Sequence, residues 1–266
     1  METNSPAEVL GPTRLSAPFR SREIAGVAFA GRALYDGCIA ISRWPRSVVE
    51  TFLPPELELV PVAEGSTEEH PVIVIFGQQR ETALIFGGVV MPVGRDYDEF
   101  GITVPFVRVR SSGALSTYVP TMYASYFSAT WVGTHLFGLG KRIASEQSDG
   151  PLSVWTDENG RAVFHAIVEP CSSGSETVGC EPSDLETLRR VATLPVVGQR
   201  HDGRWMGCYF DWDFSGARSK AVRCSMSIDE ELRAGVPERT FVGEPGATIW
   251  VEGMVWRLSW PFRCGV

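Results

Sequence analysis

The sequence predicts an α+β fold that is predominantly antiparallel β, and three observations predict it. Short runs rich in β-branched residues recur along the chain, bounded by polar or glycine punctuation. Helical signals are confined to three segments. The chain has 266 residues, 44% hydrophobic and 21% charged, which is ordinary for a globular protein able to bury a sizeable core.

Residues 1–22 are polar and proline-bearing without the apolar core of a secretion signal, and read as a flexible arm before a single domain over 23–266. A cytoplasmic location is the corresponding expectation. Trp44–Phe52 starts a helix with Pro45 near the first turn, and the prolines of PPELELV stop it. Pro71–Phe76 and Ala83–Met91 read as strands. Ile102–Arg110 ends in clean alternation, with Val107 and Val109 on one face and Arg108 and Arg110 on the other. Ala129–Ser145 is a helix candidate interrupted by Gly133, Gly138 and Gly140. Asp157–Gly160 (DENG) joins Leu152–Thr156 and Ala162–Val168 as a hairpin. Ser172–Thr177 is a surface loop. Ser183–Leu194 opens on Ser183 and Glu186 in a capping-box pattern and continues with helical periodicity. Met206–Phe214 and Ala247–Trp260 are strands. In the first of these, Asp211 and Asp213 read as the polar face. Trp250, Trp256 and Trp260 read as core.

Composition excludes several functions. A net charge of -8 argues against nucleic acid or an anionic membrane as partner, and no apolar run reaches the roughly 20 residues of a membrane span. The six cysteines contain no C-x-x-C pair and read as free thiols. His70, His135, His165 and His201 lack metal-ligand spacing, so no metal is expected. Gly140-Lys141 lacks the flanking glycine and hydroxyl of a phosphate loop, and no G-x-S-x-G elbow occurs.

Only two of the 24 basic residues are lysines, Lys141 and Lys220. Lys220 lies in a polar stretch, GARSKAVR, and reads as solvated surface. Lys141 follows Tyr118–Leu139, a segment without Asp, Glu, Lys or Arg, and Arg142 follows it at once. An apolar surround and a neighbouring like charge both favour a neutral amine, and a neutral amine attacks carbonyls where a guanidinium does not. The alternative is that Lys141 and Arg142 form an ordinary basic helix end, favourable to the helix dipole.

Met122–Ala144 (MYASYFSATWVGTHLFGLGKRIA) resembles the active-site stretch of acetoacetate decarboxylases, M-Y-x5-A-x3-G-R-E-x4-P-K-K. Met122-Tyr123, Ala129, Gly133 and Lys141-Arg142 register without a gap. Tyr97-Asp98-Glu99 resembles the family's Y-x-E segment, and Phe52–Leu59 (FLPPELEL) the segment after its first helix. The matches span roughly the first half of the chain. The resemblance gives Lys141 the place of the Schiff-base lysine, Arg142 that of the adjacent cation and Glu99 that of an active-site glutamate. Tyr123 and His135 become candidates for contacting substrate, with a structural role as the alternative for each.

The resemblance implies curved sheets, or a conical partial β-barrel, around an apolar pocket. It also implies self-association into a homo-oligomer, and a lyase acting on a keto acid or related carbonyl compound without any organic cofactor. The chain also departs from the pattern. Gly133-Thr134-His135 replaces G-R-E, and Gly140 replaces the proline before the lysine. The same register sets Tyr35 and Phe76 at the places of the family's N-terminal arginine and second glutamate, with Arg32 and Gln78 close by. An aldolase- or dehydratase-type Schiff-base enzyme, or a non-catalytic binding protein with the same cavity, are the alternatives.

Overall fold

The computed structural model describes residues 28–61, 68–93, 95–170, 187–188, 190–214, 216–228, 240–243 and 248–264. Within them the chain is mostly strand, with two short helices, α1 (Arg46–Glu50) and α2 (Phe127–His135). The expected α+β, mainly antiparallel fold is what forms. The arm over 1–22, the loop Ser172–Thr177 and the capping residues Ser183 and Glu186 lie outside the described residues.

The strands that build the site are β1 (Phe29–Pro45), β3 (Glu69–Phe86), β5 (Tyr97–Val109), β6 (Leu115–Ala124), β7 (Lys141–Asp149), β10 (Pro195–Gln199), β11 (Trp205–Asp213) and β14 (Thr248–Ser259). Pairing runs β6–β10–β11–β14–β1–β3–β5, and β5 pairs back to β6. The sheet therefore curls round on itself. The β6–β7 and β6–β10 pairings are parallel, and the others described are antiparallel. Two apolar clusters result. One holds Ile39, Val119, Met122, Phe137, Met254 and Trp256 inside the curl. The other holds Trp44, Phe100, Tyr123, Trp155 and Phe164 on the reverse face, under β8 (Leu152–Asp157), β9 (Ala162–Pro170) and β12 (Arg218–Ile228).

Several elements fall where the pattern places them. Val107 and Val109 are buried while Arg108 and Arg110 face outward, where both meet Glu58 of β2 (Leu57–Leu59), at 3.2 and 2.8 Å. The DENG hairpin is held by Asp157, whose Oδ1 accepts the amides of Asn159 and Arg161.

Other elements differ, for identifiable reasons. Ala83–Met91 is not one strand. Gly87 and Gly88 both take positive φ, 55° and 85°, and fold it into a two-residue hairpin between β3 and β4 (Val89–Pro92). The predicted helix over Ala129–Ser145 stops at His135. Gly138 and Gly140 then adopt left-handed φ of 71° and 52°, and the chain re-emerges at Lys141 as a strand. Asp211 is not on a solvated face. It is fully buried, paired across strands with Arg257. Lys220 is likewise not solvated, since its position on β12 opposite Trp250 leaves it only 9% exposed. Trp256 is core as expected, but Trp260 is 38% exposed and packs edge-on to Phe86.

Candidate active site

Strand register explains why Lys141 and Glu99 meet. Gly101 of β5 pairs with Met122 of β6, which pairs with Lys141 of β7, so these three share one face of the sheet. Glu99, two residues before Gly101, faces the same way. The neighbouring row, Phe100–Tyr123–Arg142, faces the reverse side. Lys141 Nζ donates to Glu99 Oε2 across this inner face, and the two side chains are only 9% and 7% exposed.

The surroundings fix both partners. Glu99 also accepts from Gln79 Nε2 at 3.4 Å, and Gln79 Oε1 accepts the indole N–H of Trp256. A chain of three hydrogen bonds thus ties β7, β5, β3 and β14 together. Tyr97, on the inner face with Glu99, sets its ring 5.9 Å from Lys141 Nζ. Burial, with the charge of Glu99 adding to it, pushes the Tyr97 phenol well above its ordinary range. Tyr35 behaves alike, raised by burial first and then by Cys38 and Glu99, while its hydroxyl donates to the Cys38 carbonyl at 3.0 Å. Both phenols stay protonated beside the ion pair.

The lysine stem rests on helix α2. A Cβ at Gly133 would stand 2.6 Å from Lys141 Cδ and 2.9 Å from Cε, so any larger residue would displace the stem from its present path. Thr134 Oγ1 donates to the Lys141 carbonyl at 3.0 Å and fixes the start of β7 against the helix end. The T that replaces R in the G-R-E pattern therefore positions the lysine backbone.

Lys141 and Glu99 line a cavity of about 80 Å³, whose walls include Tyr97, Val132, Phe137, Leu139 and Leu258. A second cavity of about 60 Å³ shares Glu99, Phe210 and Trp256 with the first. A larger open groove of about 740 Å³ contains neither Lys141 nor Glu99. Charged side chains on its walls are engaged with one another or with neighbours, Asp36 on Arg80 at 2.5 Å, Glu252 on Arg218 at 2.6 Å, and Glu146 on Ser153.

The remaining sequence candidates lie elsewhere. Arg142, expected beside the amine, points to the reverse face, where its Nη1 lies 3.5 Å from the Tyr123 hydroxyl. Tyr123 stacks on Phe100 there, and its phenol is raised by burial. His135 donates from Nδ1 to the Trp131 carbonyl at 2.9 Å, stacks on Trp131, and approaches His201 with ring centroids 4.9 Å apart. Neither Tyr123 nor His135 is among the described residues lining the two cavities. Of the upstream positions, Tyr35 lines the second cavity, Phe76 belongs to the reverse core, and Gln79 rather than Gln78 reaches Glu99. Sequence reasoning missed Gln79 and Trp256 as site residues. Tyr97 was legible in principle, because spacing of two on a strand puts it on the face of Glu99.

Among the described residues no group of three or more His, Cys, Asp or Glu is placed to hold a metal ion. Cys38, Cys208, Cys224 and Cys264 are free thiols. No described helix is long and apolar enough to cross a membrane.

No protein-family model matches the chain, and no curated protein does. Solved structures do match. Acetoacetate decarboxylase from Legionella pneumophila subsp. pneumophila superposes with a TM-score of 0.55 at 14% identity, over 94% of this chain and 92% of that one. The enduracididine biosynthesis enzyme MppR, complexed with the condensation product of pyruvate and imidazole 4-carboxaldehyde, gives 0.56 at 12% identity, over 95% and 97%. An acetoacetate decarboxylase-like enzyme from Sphingomonas wittichii RW1 gives 0.56 at 12%, over 90% and 94%. Matched over 90–95% of its length by these structures, the curled sheet is the acetoacetate decarboxylase-like fold.

Proposed function

We propose that this chain is an enzyme that forms a Schiff base between Lys141 and a carbonyl substrate. The observation that carries the reading is the Lys141–Glu99 pair, enclosed in an apolar chamber and fastened through Gln79 to Trp256. The fold shared with acetoacetate decarboxylase and MppR supports it.

The pair contains what imine formation needs. A proton passes from Nζ to the Glu99 carboxylate, freeing the nitrogen lone pair for attack on the carbonyl carbon. After the nitrogen of the adduct gives its proton to the new alkoxide, Glu99 returns its own proton to that hydroxyl, which leaves as water. The product is an iminium on Lys141 facing a Glu99 carboxylate again, so the ion pair of the free enzyme is restored. The iminium is an electron sink for the next step, whether loss of an α-proton, cleavage of a carbon–carbon bond or loss of carbon dioxide. Tyr97, held protonated, sets its ring 5.9 Å from Nζ and walls the chamber beside the reacting centre.

Reversible imine formation is measured by isotope exchange. A ketone labelled with ¹⁸O at its carbonyl should lose the label to water on incubation with the protein, and lose none beyond the background rate with Lys141→Met. Equal washout with both proteins contradicts the reading.

Gly133→Ala tests the packing of the stem. The added methyl occupies the space of Lys141 Cδ and Cε, which moves Nζ off Glu99 while the helix gains a better former. Displacement of a reacting atom by about 1 Å costs roughly a hundredfold. Exchange should fall by about that factor with the melting temperature unchanged or raised, as read by calorimetry alongside the exchange assay.

A further inference from the structure

Two lobes meet at Trp256. The first contains Lys141. The second, walled by Ile39, Ile75, Val119, Met122, Trp212 and Met254, contains no reacting group of its own, yet it shares Glu99, Phe210 and Trp256 with the first. A molecule bound by its carbonyl carbon at Nζ therefore has a second apolar space next to it.

Charge decides what fills that space. Among the described residues lining either lobe, Lys141 and Glu99 are the only charged side chains. Their charges answer each other. A carboxylate on the substrate would enter an apolar enclosure beside the negative Glu99, facing no further described cation. An uncompensated buried charge is strongly unfavourable there. The behaviour of Tyr35 and Tyr97 agrees, since the same environment opposes a phenolate at each. The second lobe does hold one unused polar group. Thr117 shares the inner face of β6 with Val119, is 2% exposed, and its Oγ1 has no hydrogen-bond partner among the described residues. A buried hydroxyl left unpaired is costly until something bonds to it.

We propose that the substrate is an uncharged ketone or aldehyde with an apolar substituent, the carbonyl at Lys141 and the substituent in the second lobe. One neutral oxygen on the substituent is within the reach of Thr117. This assignment rests on the reading of Lys141 as the carbonyl-binding amine. It turns the chemistry toward α-proton transfer or carbon–carbon cleavage of a neutral carbonyl compound and away from loss of carbon dioxide, which requires a substrate carboxylate.

Methyl levulinate and levulinate test it, because they share a skeleton and differ in charge. Two readings are taken for each with the full-length protein: the rate of borohydride-trapped adduct on Lys141 by mass spectrometry, and equilibrium binding by quenching of tryptophan fluorescence. The expected result is that the ester is trapped and bound about a hundredfold better than the acid. Met254→Trp, which fills the second lobe, should abolish that preference, as should Val119→Phe if the first variant does not fold. Thr117→Val should weaken the ester about tenfold and leave 2-hexanone unchanged. Trapping of levulinate as fast as its ester overturns the assignment and leaves the Schiff base standing. Binding of the ester without an adduct upholds the uncharged ligand and removes the Schiff base. Binding of neither neutral ketone overturns the assignment.

Discussion

Glu99→Gln is expected to slow imine formation at Lys141 by roughly 10²- to 10⁴-fold, the range that a positioned acid–base group supplies. The amide keeps the shape of the carboxyl and can still hydrogen-bond Gln79, but it can neither take the Nζ proton nor return one to the departing hydroxyl. It also leaves the iminium without its counter-charge in an apolar chamber, which adds to the loss. Single-turnover trapping with a neutral ketone reads the rate directly. A structural role alone would lower stability and leave the rate per folded molecule unchanged, so an unaltered rate refutes the role given to Glu99. Glu99→Asp retains the proton but shortens the reach, and should recover part of the rate.

Asp211→Ala is expected to destabilise the fold by about 3 kcal/mol, at the lower end of the cost of breaking a buried ion pair because Arg257 is partly exposed. Asp211 pairs directly with Arg257 across β11 and β14, accepting from Nε at 2.7 Å, and the Arg257 guanidinium lies over the Phe29 ring of β1 at 4.7 Å. Three strands of the curl are thereby joined on one face, while Phe210 and Trp212, on either side of Asp211, face the cavity. Denaturant unfolding measures the loss. Asp211→Leu combined with Arg257→Met should recover most of it, since replacing a buried pair by apolar residues of similar volume is often neutral. A double variant as unstable as Asp211→Ala would show that the pair is not the cause.

The parts of this architecture that were legible in the sequence are those written in short-range pattern. Alternation located β5, the Asp157–Gly160 turn located its hairpin, and the uncharged run before Lys141 marked an amine with apolar neighbours. Glu99 was legible through Tyr97-x-Glu99, whose spacing of two survives in a strand. The orientation of Arg142 was not. Adjacency in the chain suggests adjacency in space if Lys141 ends a helix, but Gly138 and Gly140 turn the chain into β7, where consecutive side chains face opposite ways. Proton removal from the amine then falls to Glu99, which faces it, rather than being favoured by Arg142. Gln79 and Trp256 were out of reach because their hydrogen bond joins residues 177 positions apart, and only the pairing of β1 with both β3 and β14 brings them together. Burial of Asp211 and Lys220 was hidden for a related reason. A charged residue within a strand reads as outward-facing until a second layer is known to cover that side.

Reductive trapping followed by peptide mapping identifies the reacting amine, because the chain offers two lysines and neither side chain is freely exposed. With a neutral ketone and borohydride, one stable adduct per chain is expected, on the peptide containing Lys141, and none on Lys220 or in Lys141→Met. An adduct on Lys220 alone, or equal labelling of the wild type and Lys141→Met, would contradict it.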